Sequence, residues 1–252
     1  MPHHCTCDLD LELASKVQQL LFPKSSPVCS WACIGVKYRM ANALGGDYFD
    51  FITLPDGCQA LFVGDVTGHG VHASVVMALL YGFIHHSVRD QCDPPELVRQ
   101  ANGFLRTFAE RSVKFDHYFS STLFYGLIDP QTRQLHYVNA GHPAPLVRRG
   151  ESVLSLDVTA PPIGFFEQPE ITFGRFQLQR HDRLLLFTDG ITEMFDPEQQ
   201  QFGRKRLAEV LLRHQGDHLE FLDTLYAALM QFGAAEAPAD DCTAIVLDLH
   251  QL

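Results

Sequence analysis

The sequence predicts an α+β domain in which antiparallel sheets are covered by pairs of helices. Three observations carry that expectation. Short apolar runs follow one another through hairpin turns, helical segments come two at a time between those runs, and the strand–helix–strand alternation of a doubly wound parallel sheet is missing. At 252 residues, with 46% hydrophobic and 19% charged side chains, the chain has an ordinary globular composition and the length for a sizeable core. No compositional break or internal repeat divides it. The expected organisation is an N-terminal helix within residues 1–26, followed by one domain over 27–252.

Each element has a local reason. Asp8 can cap a helix whose apolar positions Leu13, Val17, Leu20 and Leu21 form one stripe, with Asp10 and Glu12 in its first turn and Pro23 as its stop. Such a stripe usually packs on a core, and otherwise receives a partner. Residues 31–40 and 48–54 read as strands, and Pro55-Asp56-Gly57 turns the chain back into a strand over 60–65. From Gly70 an almost wholly apolar run to Leu80 predicts a helix. Asp93-Pro94-Pro95-Glu96 is a capping box that opens an amphipathic helix carrying Leu97, Ala101, Phe104, Leu105 and Phe108. Strands are expected over 121–128, 135–139, 144–148, 153–156, 171–178 and 183–187, punctuated by Asp129-Pro130, Gly141-His142-Pro143 and Gly150. Helices over 204–214 and from Asp217, which forms a second capping box with Glu220, precede a last strand over 244–249.

Several function classes are excluded early. A formal net charge of −11 and the absence of Lys/Arg runs argue against nucleic-acid binding. The apolar stretches at 71–84 and 184–187 are too short or too polar at their ends to span a membrane, and no secretory leader opens the chain. Seven Cys without a periodic framework fit free thiols in a reducing compartment, so cytoplasm is the expected location. His3-His4-Cys5-Thr6-Cys7 and the Cys29/Cys33 pair have metal-like spacings but no obvious second pair, and read as unliganded.

The chemistry is expected at the acids. Gly46-Asp47, Gly64-Asp65, Asp189-Gly190 and Asp240-Asp241 stand beside glycines, at strand ends, or at both. Any one Asp in such a turn ordinarily serves its own backbone. If the strands lie side by side, however, the carboxylates meet at one edge of the sheet, where mutual repulsion calls for protons or cations. Oxygen-only ligation selects Mg²⁺ or Mn²⁺ over zinc, and an open site with two such ions suits phosphoryl chemistry. The neighbouring glycines leave room for ions and a phosphate, which makes Gly68, Gly141 and Gly190 candidates for substrate contact.

Taken together and in this order, five blocks resemble the SpoIIE/RsbU-type branch of the metal-dependent serine/threonine protein phosphatases, the PPM group. They are Leu44-Gly45-Gly46-Asp47-Tyr48-Phe49-Asp50, Gly64-Asp65-Val66-Thr67-Gly68-His69-Gly70, Asn139-Ala140-Gly141-His142-Pro143, Phe187-Thr188-Asp189-Gly190 and Asp240-Asp241-Cys242-Thr243. The segment Val17-Gln18-Gln19-Leu20-Leu21-Phe22-Pro23 resembles the helix that precedes this catalytic domain. The resemblance implies a four-layer αββα sandwich, two stacked antiparallel sheets flanked by helix pairs. It also implies two divalent ions, Mn²⁺ or Mg²⁺. Asp65 would bridge them and the Val66 carbonyl would add a ligand. Asp47 would serve one ion and Asp189 with Asp240 the other, with Asp241 behind them or in place of Asp240.

The implied reaction is in-line attack of a metal-bound hydroxide on a phosphoserine or phosphothreonine, without a phosphoenzyme. The implied substrate is a regulatory phosphoprotein such as an anti-sigma-factor antagonist, with a regulatory partner on the Leu13/Val17/Leu20 stripe. His69 and His142 are candidate proton donors to the leaving oxygen, or hydrogen-bond partners of their turns. Where the broader group often carries a phosphate-binding Arg just before the first acid, this chain has none, and Arg39 is near. Gly45-Gly46-Asp47-Tyr48-Phe49 also resembles the signature of diguanylate cyclases, but that reading leaves the later blocks unexplained. The remaining alternative is a non-catalytic binding module of the same fold, which the retention of all the acids disfavours.

Overall fold

The computed structural model describes residues 6–23, 29–89, 93–111, 119–233 and 238–250. Its elements are α1 (Thr6–Gln19), β1 (Ala32–Arg39), β2 (Asp47–Thr53), β3 (Gln59–Val66), α2 (Val71–Ser87), α3 (Pro94–Arg111), β4 (Ser121–Ile128), β5 (Gln134–Ala140), β6 (Leu146–Arg149), β7 (Ser152–Ser155), β8 (Gly174–Gln177), β9 (Arg183–Phe187), α4 (Asp189–Thr192), α5 (Gly203–Arg213), α6 (His218–Gly233) and β10 (Cys242–Leu249). Most of the N-terminal His/Cys cluster lies outside the described residues. Cys29 and Cys33 are free thiols.

The strands form two five-stranded antiparallel sheets, ordered β1-β10-β9-β6-β7 and β2-β3-β4-β5-β8. Side-chain alternation makes the layers. In β9, Leu184 and Leu186 face the core between the sheets, while Leu185 and Phe187 join a second cluster under α5 and α6. In β10, Ile245 and Leu247 point inward and Ala244 and Val246 toward those helices. On the other sheet α2 packs on β2 and β3, and α3 on β4 and β5. The result is helix pair, sheet, sheet, helix pair, the four-layer α+β arrangement expected from the sequence.

Three expectations are corrected. The stripe of α1 does not pack: Leu13, Val17 and Leu20 are 62%, 55% and 66% exposed. The helix is held instead at its C-terminal end, where buried Gln18 donates to the Gly45 carbonyl at 2.7 Å and accepts from the Gly45 amide at 3.2 Å, and Phe22 stacks on Phe49. The strand expected over 171–178 shortens to β8, because Thr172 donates through its amide and hydroxyl to the Thr159 carbonyl and draws the chain away from β5. A one-turn helix, α4, was not anticipated; four residues are too few to show a periodicity.

At the far end of β9 from the acids, Arg183 is 2% exposed and forks onto Asp248 with two 2.6 Å hydrogen bonds. A ring-face contact with Phe221 and a bond to the Gly216 carbonyl add to this, while Nη1 is buried without a hydrogen-bond partner. A buried charge of this kind is tolerable only because it is paired and hydrogen-bonded.

Candidate active site

The strand register builds the centre of the site. Asp47 and Asp65 are direct cross-strand partners on β2 and β3. Like charges placed opposite each other in this way sit about 4.5–5.5 Å apart at Cβ and destabilise the pair. The other acids arrive from the facing sheet: Asp189 begins α4 at the end of β9, and Asp240 and Asp241 precede β10. The acids therefore come from four chain segments on two facing sheets, and not from one edge of a single sheet as expected from the sequence.

Electrostatics shows how tightly they are grouped. Burial, then Asp189, Asp240 and Asp241, push the Asp65 carboxyl up to about 8. Burial, then Asp65 and Asp241, hold Asp47 well above the carboxylate range. Asp189 is raised by burial, Asp240 and Glu193, and Asp240 chiefly by burial. Among the described residues, no three acidic, His or Cys side chains close around one point at coordination distance. The carboxylates thus perturb one another's protonation without closing around one point.

The supports of each acid differ. Asp47 is buried; its Oδ2 accepts from Thr188 Oγ1 at 2.9 Å and Thr243 Oγ1 at 2.6 Å, while its Oδ1 is buried without a partner. Asp241 is committed to the backbone: Oδ1 accepts from the Ala41 amide and Oδ2 from the Gly46 amide, each at 2.8 Å. Asp240 accepts from the Asp241 amide and otherwise faces solvent near His69. Asp241 thus clamps the loop before Asp47, while Asp240 is the more exposed of the two acids.

Two glycines make the close approach possible. A Cβ at Gly46 would stand 2.9 Å from both Asp65 Oδ1 and the Val66 carbonyl, and one at Gly190 would collide with the Asp241 carbonyl. Gly68 and His69 lie in the exposed loop between β3 and α2, Gly68 with φ of 93°. Gly141 is constrained by packing, since a side chain there would strike Pro162.

His142 is 1% exposed, and burial pulls its imidazole down to about 3 against the Phe187 backbone. Its Nδ1 pairs with Thr122 Oγ1 at 3.0 Å, and the same hydroxyl accepts from the Asp65 amide at 3.2 Å. Asn139 Oδ1 fixes the His142 amide. Ser121 Oγ donates to the Asp65 carbonyl at 2.7 Å and pairs with the buried Tyr48 hydroxyl. Sequence reasoning quoted Thr188 and Thr243 within motifs without giving them a task, and missed Ser121 and Thr122 entirely. The signal for the threonines was their place beside two candidate ligands. For Ser121 and Thr122 there was none, because only the β3–β4 register brings them to Asp65.

The profile of the stage II sporulation protein E (SpoIIE) family matches residues 55–250, a span that contains Asp65, Asp189, Asp240 and Asp241. The chain belongs to the SpoIIE family. Curated relatives of this SpoIIE-family chain include protein IcfG of Synechocystis, 26% identical over 95% of this chain and 41% of that protein. Phosphoserine phosphatase RsbP of Bacillus subtilis is 27% identical over 73% of this chain and 45% of its own length. The chain thus spans less than half of these two relatives. RsbU of B. subtilis, also named a phosphoserine phosphatase, is 23% identical over 94% of this chain and 69% of its own. Among solved structures, the SiaA-PP2C domain of Pseudomonas aeruginosa superposes with a TM-score of 0.84 at 20% identity, covering 96% of this chain and 97% of that one. RsbX in complex with magnesium superposes with a TM-score of 0.64 at 14% identity, covering 89% of this chain and 98% of that one. These structural likenesses establish the PP2C-type fold.

Proposed function

We propose that this SpoIIE-family chain is a metal-dependent protein serine/threonine phosphatase acting on a phosphoserine or phosphothreonine of a regulatory protein. The observation that carries the reading is the group of mutually perturbed carboxylates around Asp65, with one oxygen of buried Asp47 left unpartnered. Membership in a family with relatives named phosphoserine phosphatases, and a fold shared with a magnesium-containing neighbour, support it.

The donor set fits hard divalent cations, Mn²⁺ or Mg²⁺: every candidate ligand is an oxygen, and the group carries more negative charge than buried carboxylates sustain alone. Asp47, Asp65, the Val66 carbonyl, Asp189 and Asp240 would hold two of them. Bound there, the cations would neutralise phosphoryl oxygens and acidify water, which is what in-line phosphate hydrolysis needs. The remaining chemistry belongs to the chain. Thr188 and Thr243 fix one oxygen of Asp47 so that the other stays directed, and Asp241 shapes the loop that carries Asp47. Ser121 and Thr122 hold the Asp65 backbone. His69, exposed near Asp240, would pass a proton to the departing Ser or Thr oxygen, whereas buried His142 would order Thr122.

An anti-sigma-factor antagonist is the proposed substrate class, in a partner-switching circuit in the cytoplasm. Among the described residues no helix is long and apolar enough to cross a membrane. The exposed Leu13/Val17/Leu20 stripe, on an N-terminal segment of residues 1–26, would receive a regulatory partner, and residues 27–252 would form the catalytic domain. The deciding experiment is Mn²⁺-dependent hydrolysis of p-nitrophenyl phosphate and of a phosphoserine protein by wild type and Asp65→Asn. Metal-dependent turnover abolished by the substitution is expected. Metal-independent turnover, or none with either substrate, would overturn the reading in favour of a binding module.

A further inference from the structure

Beside the acids, a cavity of about 590 Å³ is walled by Glu193–Gln199 on one side and the end of α6 on the other. It has the size of small-ligand sites, about 300–1,000 Å³. Gly190 and Asp240 form part of its wall, and Glu193, which raises Asp189, forms another part. The cavity therefore borders the carboxylate cluster at Gly190 and Asp240.

Its lining is mainly apolar, from Met194, Phe195, Leu229, Met230 and Pro238, with Arg39 at the β1 end. Two of these apolar side chains are held in the open: Phe195 is 43% exposed and Met230 is 40% exposed. The wall that presents Phe195 is fixed by its own bonds. Asp196 Oδ1 accepts from the amides of Glu198 and Gln200, Phe195 bridges Gln201, and the Phe202 amide donates to the Met194 carbonyl. Arg39 reaches across to Met230, with Nη1 2.7 Å from the sulfur. Preformed apolar concavities with few polar groups are binding sites, because little ordering is left to oppose the ligand.

We propose that this cavity takes an apolar side chain of the phosphoprotein substrate, from a residue close in sequence to the phosphorylated one. The inference rests on the phosphatase reading above. A phosphoresidue seated at Asp65 must lay its neighbours along the rim, and an extended chain covers about 3.3–3.6 Å per residue, so a side chain within about three residues reaches the cavity. Aliphatic or aromatic residues match the lining, whereas acidic ones would face Glu193, Asp196 and Asp240. The pocket would thus select among phosphoproteins by a short apolar anchor, independently of the metal chemistry that recognises phosphate.

The test is a set of phosphoserine peptides carrying Leu, Phe, Ala or Asp at each neighbouring position. Each is assayed for kcat/KM relative to p-nitrophenyl phosphate, which carries no neighbouring residue. Wild type should favour Leu or Phe over Ala at one position by about tenfold, through KM, with Asp worse than Ala. Phe195→Ala and the cavity-filling Met230→Trp should each erase that preference. A preference that survives both variants, or peptides that show none while the aryl phosphate turns over, would overturn the pocket. Equilibrium binding of the same peptides to the Asp65→Asn protein separates the two ideas. Selective binding there without turnover in wild type counts against the phosphatase reading alone, and unselective binding counts against the pocket.

Discussion

Asp65 faces Asp47 across two strands and shares a field with three further acids, so its charge is costly to hold. The consequence for pH has a definite sign. An acid held above its unfolded value binds its proton preferentially in the folded state. Its stabilising effect is complete below the ordinary carboxylate range and is lost as pH rises through the folded value. With Asp65 at about 8 and Asp47, Asp189 and Asp240 also raised, chelator-treated protein should lose thermal stability between about pH 5 and pH 8. Saturating Mn²⁺ should restore Tm at the upper end, and Asp65→Asn should flatten the slope; calorimetry across that range reads both. Thr243→Val should cost about 1–3 kcal/mol, by leaving a second buried oxygen of Asp47 short of a partner, and should weaken Mn²⁺ binding in titration calorimetry. The acids themselves were legible in the chain, since glycine-flanked Asp at strand ends is a local pattern. Their supports were not. Ser121, Thr122 and His142 matter through contacts that link Asp65 to residues 56 or more positions away.

At the scale of elements, the two sheets followed from alternation and turn chemistry, because each strand's inward and outward residues are fixed by its own sequence. The N-terminal helix was misjudged as a packing element because a stripe of Leu and Val specifies an apolar face without specifying what covers it. Serine at Leu13 or Leu20 should therefore change stability by no more than about 0.5 kcal/mol, while Phe22→Ala, which removes a stacked and buried ring, should cost about 3–5 kcal/mol. Urea denaturation of the three variants distinguishes the two ends of the same segment. The Arg183–Asp248 pair invites the opposite error: two ideal hydrogen bonds look like a large stabilisation. Asp248→Ala should lose about 3–5 kcal/mol, chiefly through the guanidinium left buried without its partner. A double substitution to apolar residues should recover much of that loss.

The molecule as a whole divides its tasks between sheets. One contributes Asp47 and Asp65, the other Asp189, Asp240 and Asp241, and the inter-sheet core holds the two sets in apposition. Separation of the layers by even a small slide would disperse the acids, so site geometry depends on the packing of residues such as Leu186, Ile245 and Phe49, none of which is polar. This dependence was legible only in part. Chain order told which acids belong together, but not which lie on which sheet, because strand order is set by long-range pairing that no short window contains.

The two hydrogen bonds between Gln18 and Gly45 fasten the end of α1 to the loop that carries Asp47. A single bond would let the helix swivel; a side-chain amide gripped at both its nitrogen and its oxygen resists rotation as well as pulling. Gly45 is followed by Gly46, whose amide is held by Asp241, and then by Asp47. A torque applied to the exposed leucines of α1 thus reaches two of the site's acids through one glutamine and three consecutive residues, with no other element between. Were a partner to turn this helix, it would have to break the glutamine grip or turn the loop that carries Asp47.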